Sequence, residues 1–339
     1  MSTNPERMTK AMPELSETTI VVTGANSGLG YEATRIFAEK SATVVMACRS
    51  TDRGEDAAEA IAREAPSASL DVLELDLADL DSVRDFAAAF TGAYDDLHML
   101  CNNAGVMAIP RRETADGFET QFGVNHLGHF ALTGRLLDTL VETEGETRVV
   151  TQSSKAHESG EIDFDSVARS ATESANGSAV SNDPQRKRSY DRWAAYGQSK
   201  LANVLFAYEL DRRLGAADHD VTSVACHPGY AATELQRRGP EMENSTVRKL
   251  LMEGANRVVA QSAEMGALPI VYAATASTIR GGEYIGPDGF RGMRGYPTRV
   301  ESSDRSHDRE VARRLWDVSE ELTGVSFGLE PASSRSVPQ

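Results

Sequence analysis

Tyr196 and Lys200 stand four residues apart in Tyr196-Gly-Gln-Ser-Lys200, and a phenol with an ammonium beside it is a tunable acid. Free tyrosine titrates near ~10, and a close cation favours the phenolate and lowers that value. A phenol tuned in this way can exchange a proton with a carbonyl or alcohol oxygen near neutral pH. The pair opens the apolar run Leu201–Phe206, in which Leu201, Val204, Leu205 and Tyr208 recur at helical spacing. Both side chains therefore fall on one face of a helix, near its start. In a chain with 9 Tyr such a pair is also what an ordinary amphipathic surface helix would carry, so its weight depends on the elements around it.

Those elements begin upstream. Thr19–Thr23 reads as a buried strand that runs into Gly24-Ala-Asn-Ser-Gly28-Leu-Gly30 and then a helix to Lys40. Strand, glycine-rich turn and helix make a phosphate-binding arrangement: the glycines let backbone approach a pyrophosphate, and the helix N-terminus offers free N–H groups. A second strand, Thr43–Cys48, ends in Arg49-Ser50. A dinucleotide site built for NAD places Asp or Glu near this point; an arginine here suits a 2′-phosphate, and predicts NADP(H) as cofactor. The alternation continues with a helix Arg53–Glu64, a strand Leu70–Leu75 ending at Asp76, a helix Leu80–Phe90, and a strand Leu97–Cys101 leading into Asn102-Asn-Ala-Gly105. Phe118–Leu140 is helical, Arg148–Ser154 and Val221–Cys226 are strands, Ser262–Ala276 is a helix, Glu283–Ile285 a short strand and Arg305–Leu322 an amphipathic helix. This order predicts an α/β fold, a doubly wound parallel sheet with helices on both faces and ligands at the C-terminal strand ends. Gly24, Arg49, Asp76, Asn102 and Ser154 all fall at such ends.

Composition narrows the setting. A chain of 339 residues with 40% hydrophobic residues can bury a full core. The net charge of −16 argues against nucleic acid or an anionic membrane as a partner. Only 6 of the 35 basic residues are lysines, a balance seen in salt-adapted proteins as well as in ordinary acidic ones. No apolar run reaches the ~18 residues of a membrane span, the N-terminal residues lack the apolar core of a signal peptide, and Cys48, Cys101 and Cys226 read as reduced, buried thiols. A cytoplasmic location follows as an expectation. Residues 1–16 are expected to be a flexible tail, 17–325 one domain, and 326–339 a disordered tail; the Ser- and Asn-rich stretch 170–187 reads as a mobile insert and 230–260 as a lid over the substrate. His126, His129 and His157 lack metal-ligand spacing, so they read as packed or solvated and no metal is expected. Met107 either touches substrate or packs in the core.

The motifs together resemble the short-chain dehydrogenase/reductase family in its non-extended branch. Thr23–Gly30 matches its TGxxxGxG, Asn102–Gly105 its NNAG, Ser153-Ser154 its catalytic-serine strand end, Tyr196–Lys200 its YxxxK and Pro228-Gly229 its PG turn. Ala47-Cys-Arg49, Asn125–Phe130, Ser199–Leu205 and Arg314-Leu-Trp316 are similar to the retinol dehydrogenase and WW-domain oxidoreductase group. The resemblance implies a single Rossmann-type domain with strand order 3-2-1-4-5-6-7. It also implies a catalytic tetrad of Asn125, Ser154, Tyr196 and Lys200, with Tyr196 moving the proton, Lys200 tuning it and holding the nicotinamide ribose, Ser154 orienting the carbonyl oxygen and Asn125 holding a water. The cofactor would lie on Gly24, Asn26, Ser27, Gly28, Leu29, Gly30, Arg49, Ser50, Asp76, Leu77, Asn103, Ala104, Gly105, Pro228, Gly229 and Thr233, with Tyr196 and Lys200 beside it. The implied activity is NADP(H)-dependent interconversion of a carbonyl and an alcohol on a bulky, mostly apolar small molecule, in a protein that forms a homo-oligomer in many relatives. Two alternatives stand beside it: an extended-family epimerase or dehydratase, which generally uses a different glycine spacing, and a non-catalytic NADP-sensing protein. The separation of 42 residues between Ser154 and Tyr196 is longer than in the family's simpler members.

Overall fold

The structure is a computed structural model that describes residues 12–167, 190–230 and 261–329. One sheet of eight strands runs through it in the order β3-β2-β1-β4-β5-β6-β7-β8. The strands are β1 (Thr19–Thr23), β2 (Thr43–Cys48), β3 (Ser69–Glu74), β4 (Met99–Asn102), β5 (Thr147–Gln152), β6 (Val221–Cys226), β7 (Tyr284–Pro287) and β8 (Pro297–Arg299). The first seven pair in parallel, with Val21 facing Val45 on one side and Leu100 on the other. The fold is thus the expected Rossmann-type sheet with one addition: β8 pairs antiparallel with β7. Its three residues sit among glycines and begin with Pro297, which is tolerated at a sheet edge and hides the strand from a pattern reading.

Strand side chains alternate between two cores. Ile20, Val22, Val44 and Met46 pack on the face covered by α1 (Gly28–Glu39), α2 (Thr51–Glu64) and α6 (Ala263–Thr275). Val21, Val45, Leu100 and Val149 pack on the opposite face, under α3 (Leu80–Ala93), α4 (Gly128–Glu142) and α5 (Arg192–Ala216). Helix α7 (Arg309–Thr323) seals this second face. Its Trp316 meets the rings of Phe130 and Phe206, with centroids 5.2 and 5.9 Å away. Phe327 joins that cluster, 4.5 Å from Trp316, and is buried. The expected start of a disordered tail at 326 is therefore too early, because an aromatic ring in this cluster buries on the order of 150–250 Å². The expected flexible tail 1–16 also runs too far, because Leu15 is buried and its N–H donates to the Lys40 carbonyl at 2.8 Å. Residues 1–11, 330–339, the insert 170–187 and most of 230–260 lie outside the described residues.

Local signals explain most boundaries. Ser50 caps α2, its Oγ accepting from the Arg53 N–H at 3.4 Å, so the helix begins at Thr51 rather than at Arg53. Asp79 caps α3 and Asp191 caps α5, the latter through the N–H groups of Trp193 and Ala194. The stretch read as one helix from Phe118 starts as a single turn, Thr120–Phe122, and passes through a π-turn, Gly123–Leu127, before α4. No helix among the described residues is long and apolar enough to cross a membrane.

Candidate active site

A cavity of about 670 Å³ opens at the C-terminal ends of the strands. Its wall includes Gly24, Asn26, Ser27, Gly28 and Leu29 from the first turn, Arg49 and Ser50 from the tip of β2, Asp76 and Leu77 after β3, and Asn103, Ala104 and Gly105 after β4. Ser154, Tyr196, Lys200, Pro228 and Gly229 complete it. Residues from seven separate segments thus meet at one hollow, six of them at strand ends as expected and the seventh on α5. Of the expected site residues, Gly30 and Asn125 stand behind the wall, and Thr233 lies outside the described residues.

The first turn has the backbone a phosphate needs. Gly24 and Gly28 hold φ of +68° and +58°, a region that disfavours any residue with a Cβ. Ser27 precedes α1 with its side chain making no capping bond, so the first helical N–H groups and a hydroxyl face the cavity together. Gly30 serves packing instead: a Cβ there would collide with the Gly24 carbonyl oxygen and lie 2.6 Å from Asn103 Nδ2. It lets α1 approach the turn. The donors at this turn therefore fit a dinucleotide pyrophosphate. Arg49 is exposed at the far end of the same wall, where Arg53, read only as a helix residue, lines the cavity beside it. Cys48 turns the other way, into the core, where burial pushes its thiol up to about 11.

The loop after β4 is fastened to the first strand by one hydroxyl. Thr23 Oγ1 accepts the N–H groups of Asn103 and Ala104, both at 2.9 Å. Those two bonds fill its lone pairs, so its proton goes to His129 Nε2 at 2.9 Å rather than to the Cys101 carbonyl at 3.4 Å. His129 then carries its proton on Nδ1 and donates it to the Asn125 carbonyl at 3.1 Å. Burial lowers His129 to about 4, so the ring is neutral. The histidines are packed groups with defined partners: His126 bonds Ser319 at 2.8 Å, and His157 Nδ1 donates to the Ser154 carbonyl at 2.7 Å while Nε2 accepts from the Ser303 N–H at 3.1 Å.

Tyr196 and Lys200 lie in the first turns of α5, both almost wholly buried. The two serines at the end of β5 divide their work. Ser153 is buried and donates to the Lys200 carbonyl at 2.7 Å, which fixes β5 against α5. Ser154 faces the cavity, caps the short turn Lys155–Ser159 and hydrogen-bonds the Tyr196 phenol. The expectation that Lys200 lowers Tyr196 is not met. Burial raises the phenol to about 12, with the Ser154 bond pulling the other way, and burial lowers Lys200 to about 8. The ammonium sits 5.9 Å from the phenol ring centroid and donates to the Gln152 carbonyl at 3.1 Å. Removing water from both groups favours the neutral form of each, and at this separation that effect outweighs their attraction.

Asn125 does not reach the cavity. Its Oδ1 accepts from the Val106 N–H at 2.8 Å, and its Nδ2 donates to the Val106 carbonyl and to Ser199 Oγ, both at 2.9 Å. The side chain is fully used in holding the loop after β4 to α5. The π-turn that contains it widens the helix at this point, as such turns do at functional sites. Gln152 was not among the expected site residues. Its carbonyl accepts from both Lys200 and Asn203, and its amide donates to Asn103 Oδ1 at 3.2 Å. Only a polar residue two positions before the serine hinted at it. Tyr190, a second tyrosine near the start of α5, donates to Glu119 at 2.7 Å and opens onto a separate hollow of about 990 Å³ that holds none of the expected catalytic residues.

Residues 18–168 match the short chain dehydrogenase family. The chain is 39% identical to human retinol dehydrogenase 13 over 322 residues, covering 94% of this chain and 87% of that one. The chain belongs to the short-chain dehydrogenase family. Human retinol dehydrogenase 12 is 39% identical across 91% of this chain and 87% of its own, and mouse polyprenol dehydrogenase 38% across 91% and 84%, which puts this short-chain dehydrogenase in the retinol dehydrogenase-like group. A solved structure of an uncharacterized protein from Mycobacterium paratuberculosis shares 39% identity with a TM-score of 0.72, over 94% of this chain and 98% of that one. Family membership makes this protein an oxidoreductase acting on alcohol and carbonyl groups, and its cofactor a nicotinamide dinucleotide.

Proposed function

We propose that this short-chain dehydrogenase interconverts a carbonyl and an alcohol on a bulky, mostly apolar molecule, with NADP(H) as cofactor and Tyr196 as the acid and base. The observation that carries the reading is the shared cavity: the glycine-rich turn, Arg49 and the group Ser154, Tyr196, Lys200 all open onto the same 670 Å³. The nicotinamide, when bound, supplies or accepts the hydride. Tyr196 gives or takes the proton at the substrate oxygen, through its phenol oxygen. Ser154 holds that oxygen and the phenol together. Lys200, fixed on the Gln152 carbonyl, holds a cation 5.9 Å from the phenol ring, where it favours the phenolate that proton transfer leaves behind. Asn125 acts through position, by holding the loop that carries Gly105 and Val106. A phenol raised to about 12 is protonated at neutral pH, which favours carbonyl reduction there, while alcohol oxidation speeds up as the pH rises.

Two further features support the details. Arg49 and Arg53 line the end of the cavity where a ribose 2′-phosphate would sit, and no carboxylate side chain lies on the tip of β2 to take a 2′-hydroxyl. The other end is lined by Val106, Met107, Trp193, Tyr230 and Met293, an apolar wall that favours substrates burying hydrocarbon at roughly 25 cal/mol per Å². The relatives named for retinol and polyprenol point the same way. The test is kcat/KM for a series of aldehydes and ketones of rising size with NADPH and with NADH, in wild type and Arg49→Ala. Activity rising with apolar size, and a preference for NADPH of about 10- to 100-fold that Arg49→Ala largely removes, is the expected result, since charge-assisted bonds contribute ~1.5–3 kcal/mol. Equal preference in the two proteins would overturn the cofactor assignment, and small polar ketones outperforming every long aldehyde would overturn the substrate class.

A further inference from the structure

The loop leaving β4 is held at two successive points by two buried amides, four residues apart on one helical segment. Asn125 takes both backbone groups of Val106 and ties them to Ser199 on α5. Gln121 repeats this arrangement one step further along the loop. Its Oε1 accepts from the Ala108 N–H at 2.7 Å, and its Nε2 donates to Tyr190 Oη at 2.7 Å and to the Arg192 carbonyl at 3.0 Å. Tyr190 in turn donates to Glu119 Oε1 at 2.7 Å. Gln121 has no exposure to solvent, and each end of its amide is used. The two residues it joins flank the substrate end of the cavity. Ala108 follows Met107, and Arg192 precedes Trp193, whose ring meets Tyr196 edge-on at 6.2 Å.

Backbone strain marks the same point. Ala108 holds φ of +48°, a left-handed conformation that its Cβ disfavours and that persists only where surroundings impose it. Gln121 accepts the hydrogen bond of that residue's own N–H. Without it, Ala108 is free to leave the left-handed region, and Met107 moves with it. The glycine-rich turn and Arg49 follow β1 and β2, outside this network.

We propose that Gln121 is a substrate-positioning residue that sets the width of the slot between Met107 and Trp193, and through it which carbonyl substrates fit. The proposal rests on the carbonyl-reductase reading above. The test begins with Gln121→Leu, which keeps the bulk and removes donor and acceptor. KM for bulky apolar aldehydes should rise about 10-fold or more, with kcat changed less than about 3-fold, a far smaller shift for propanal, and an unchanged Kd for NADPH. Ala108→Gly should restore much of the KM in the Gln121→Leu background, because glycine takes positive φ without help. A uniform loss of kcat for every aldehyde, or a double variant no better than Gln121→Leu, would mean that Gln121 is merely structural. Should Gln121→Leu fail to fold, Tyr190→Phe carries the same comparison: a shift of about 3-fold confined to bulky aldehydes supports the proposal, and no shift overturns it. A second measurement does not need turnover. Of the 2 Trp, Trp316 is buried and Trp193 is 52% exposed, so acrylamide quenching reports Trp193. An increase in quenching in Gln121→Leu supports the clamp even if the wild type reduces no carbonyl, in which case the reading above fails and the clamp stands; unchanged quenching overturns the clamp.

Discussion

At the end of the cavity beside α1 the wall is largely backbone, the turn Gly24–Gly28 and the first N–H groups of a helix. At the end beside α5 the wall is side chains, Met107, Trp193, Tyr196, Tyr230 and Met293, brought in from four segments of the chain. A backbone site needs a few glycines at fixed spacing and tolerates almost any neighbour. A side-chain site needs every supporting residue in place, and here these are buried amides: Asn125, Gln121 and Gln152. The cofactor end is therefore expected to fail by steric collision, and the chemical end by the loss of one hydrogen-bonding group.

Lys200→Ala should produce the largest effect felt at both ends of the cavity. It removes a buried ammonium and leaves the Gln152 carbonyl with only Asn203 as partner. We expect kcat/KM to fall by about 1000-fold and Kd for NADPH to rise by about 10-fold, from steady-state kinetics and fluorescence titration. A loss confined to KM would show that Lys200 only binds.

Acid should come next. His126, His129 and His227 are lowered by burial to about 3, 4 and 3. Their unfolded values lie near ~6.5, so on acidification the unfolded chain takes up protons first. The stability they contribute is complete above that value and declines as the pH falls toward the folded values. Between pH 7.5 and 5 the loss should be about 2 kcal/mol for each histidine, read by urea denaturation, and His126→Gln should flatten the slope. Equal stability at the two pH values would contradict the buried, neutral rings. His129 matters most to the comparison, because it bridges Thr23 at the cofactor end to Asn125 at the chemical end.

Gly30→Ala should cost about 1–3 kcal/mol of folding stability through the collision with the Gly24 carbonyl, and weaken NADPH binding while kcat at saturating cofactor stays near wild type. A silent Gly30→Ala would mean that the turn is more pliable than its packing suggests. Smallest of all, molar KCl should raise the thermal midpoint by a few degrees, by screening a net charge of −16; a flat response would assign the acidity no role in salt adaptation.

The two ends also differ in how far the sequence reveals them. Gly24, Gly28, Arg49, Asp76 and Asn103 are legible because each sits at a strand end that the alternation of elements already locates. Gly30 is expected in the site from the glycine motif, and its close packing on Gly24 appears only in three dimensions. Gln121 bonds residues 13, 69 and 71 positions away, and no local pattern carries such partnerships. The π-turn at Asn125 is hidden for a related reason, since Gly123–Leu127 keeps the apolar spacing of an ordinary helix. Tyr196 and Lys200 were found by spacing, but spacing does not measure burial, and burial decides the direction in which both titrate.

The central claim, that Tyr196 transfers the proton, is tested most directly by single-turnover reduction of a bulky aldehyde in Tyr196→Phe, with NADPH binding measured on the same protein. The ring and its packing against Trp193 survive this change, and only the hydroxyl is lost. The account predicts that the chemical step slows by about 10²–10⁴-fold while Kd for NADPH stays within about 3-fold. A Tyr196→Phe enzyme that reduces the aldehyde within about ten-fold of the wild-type rate would contradict it.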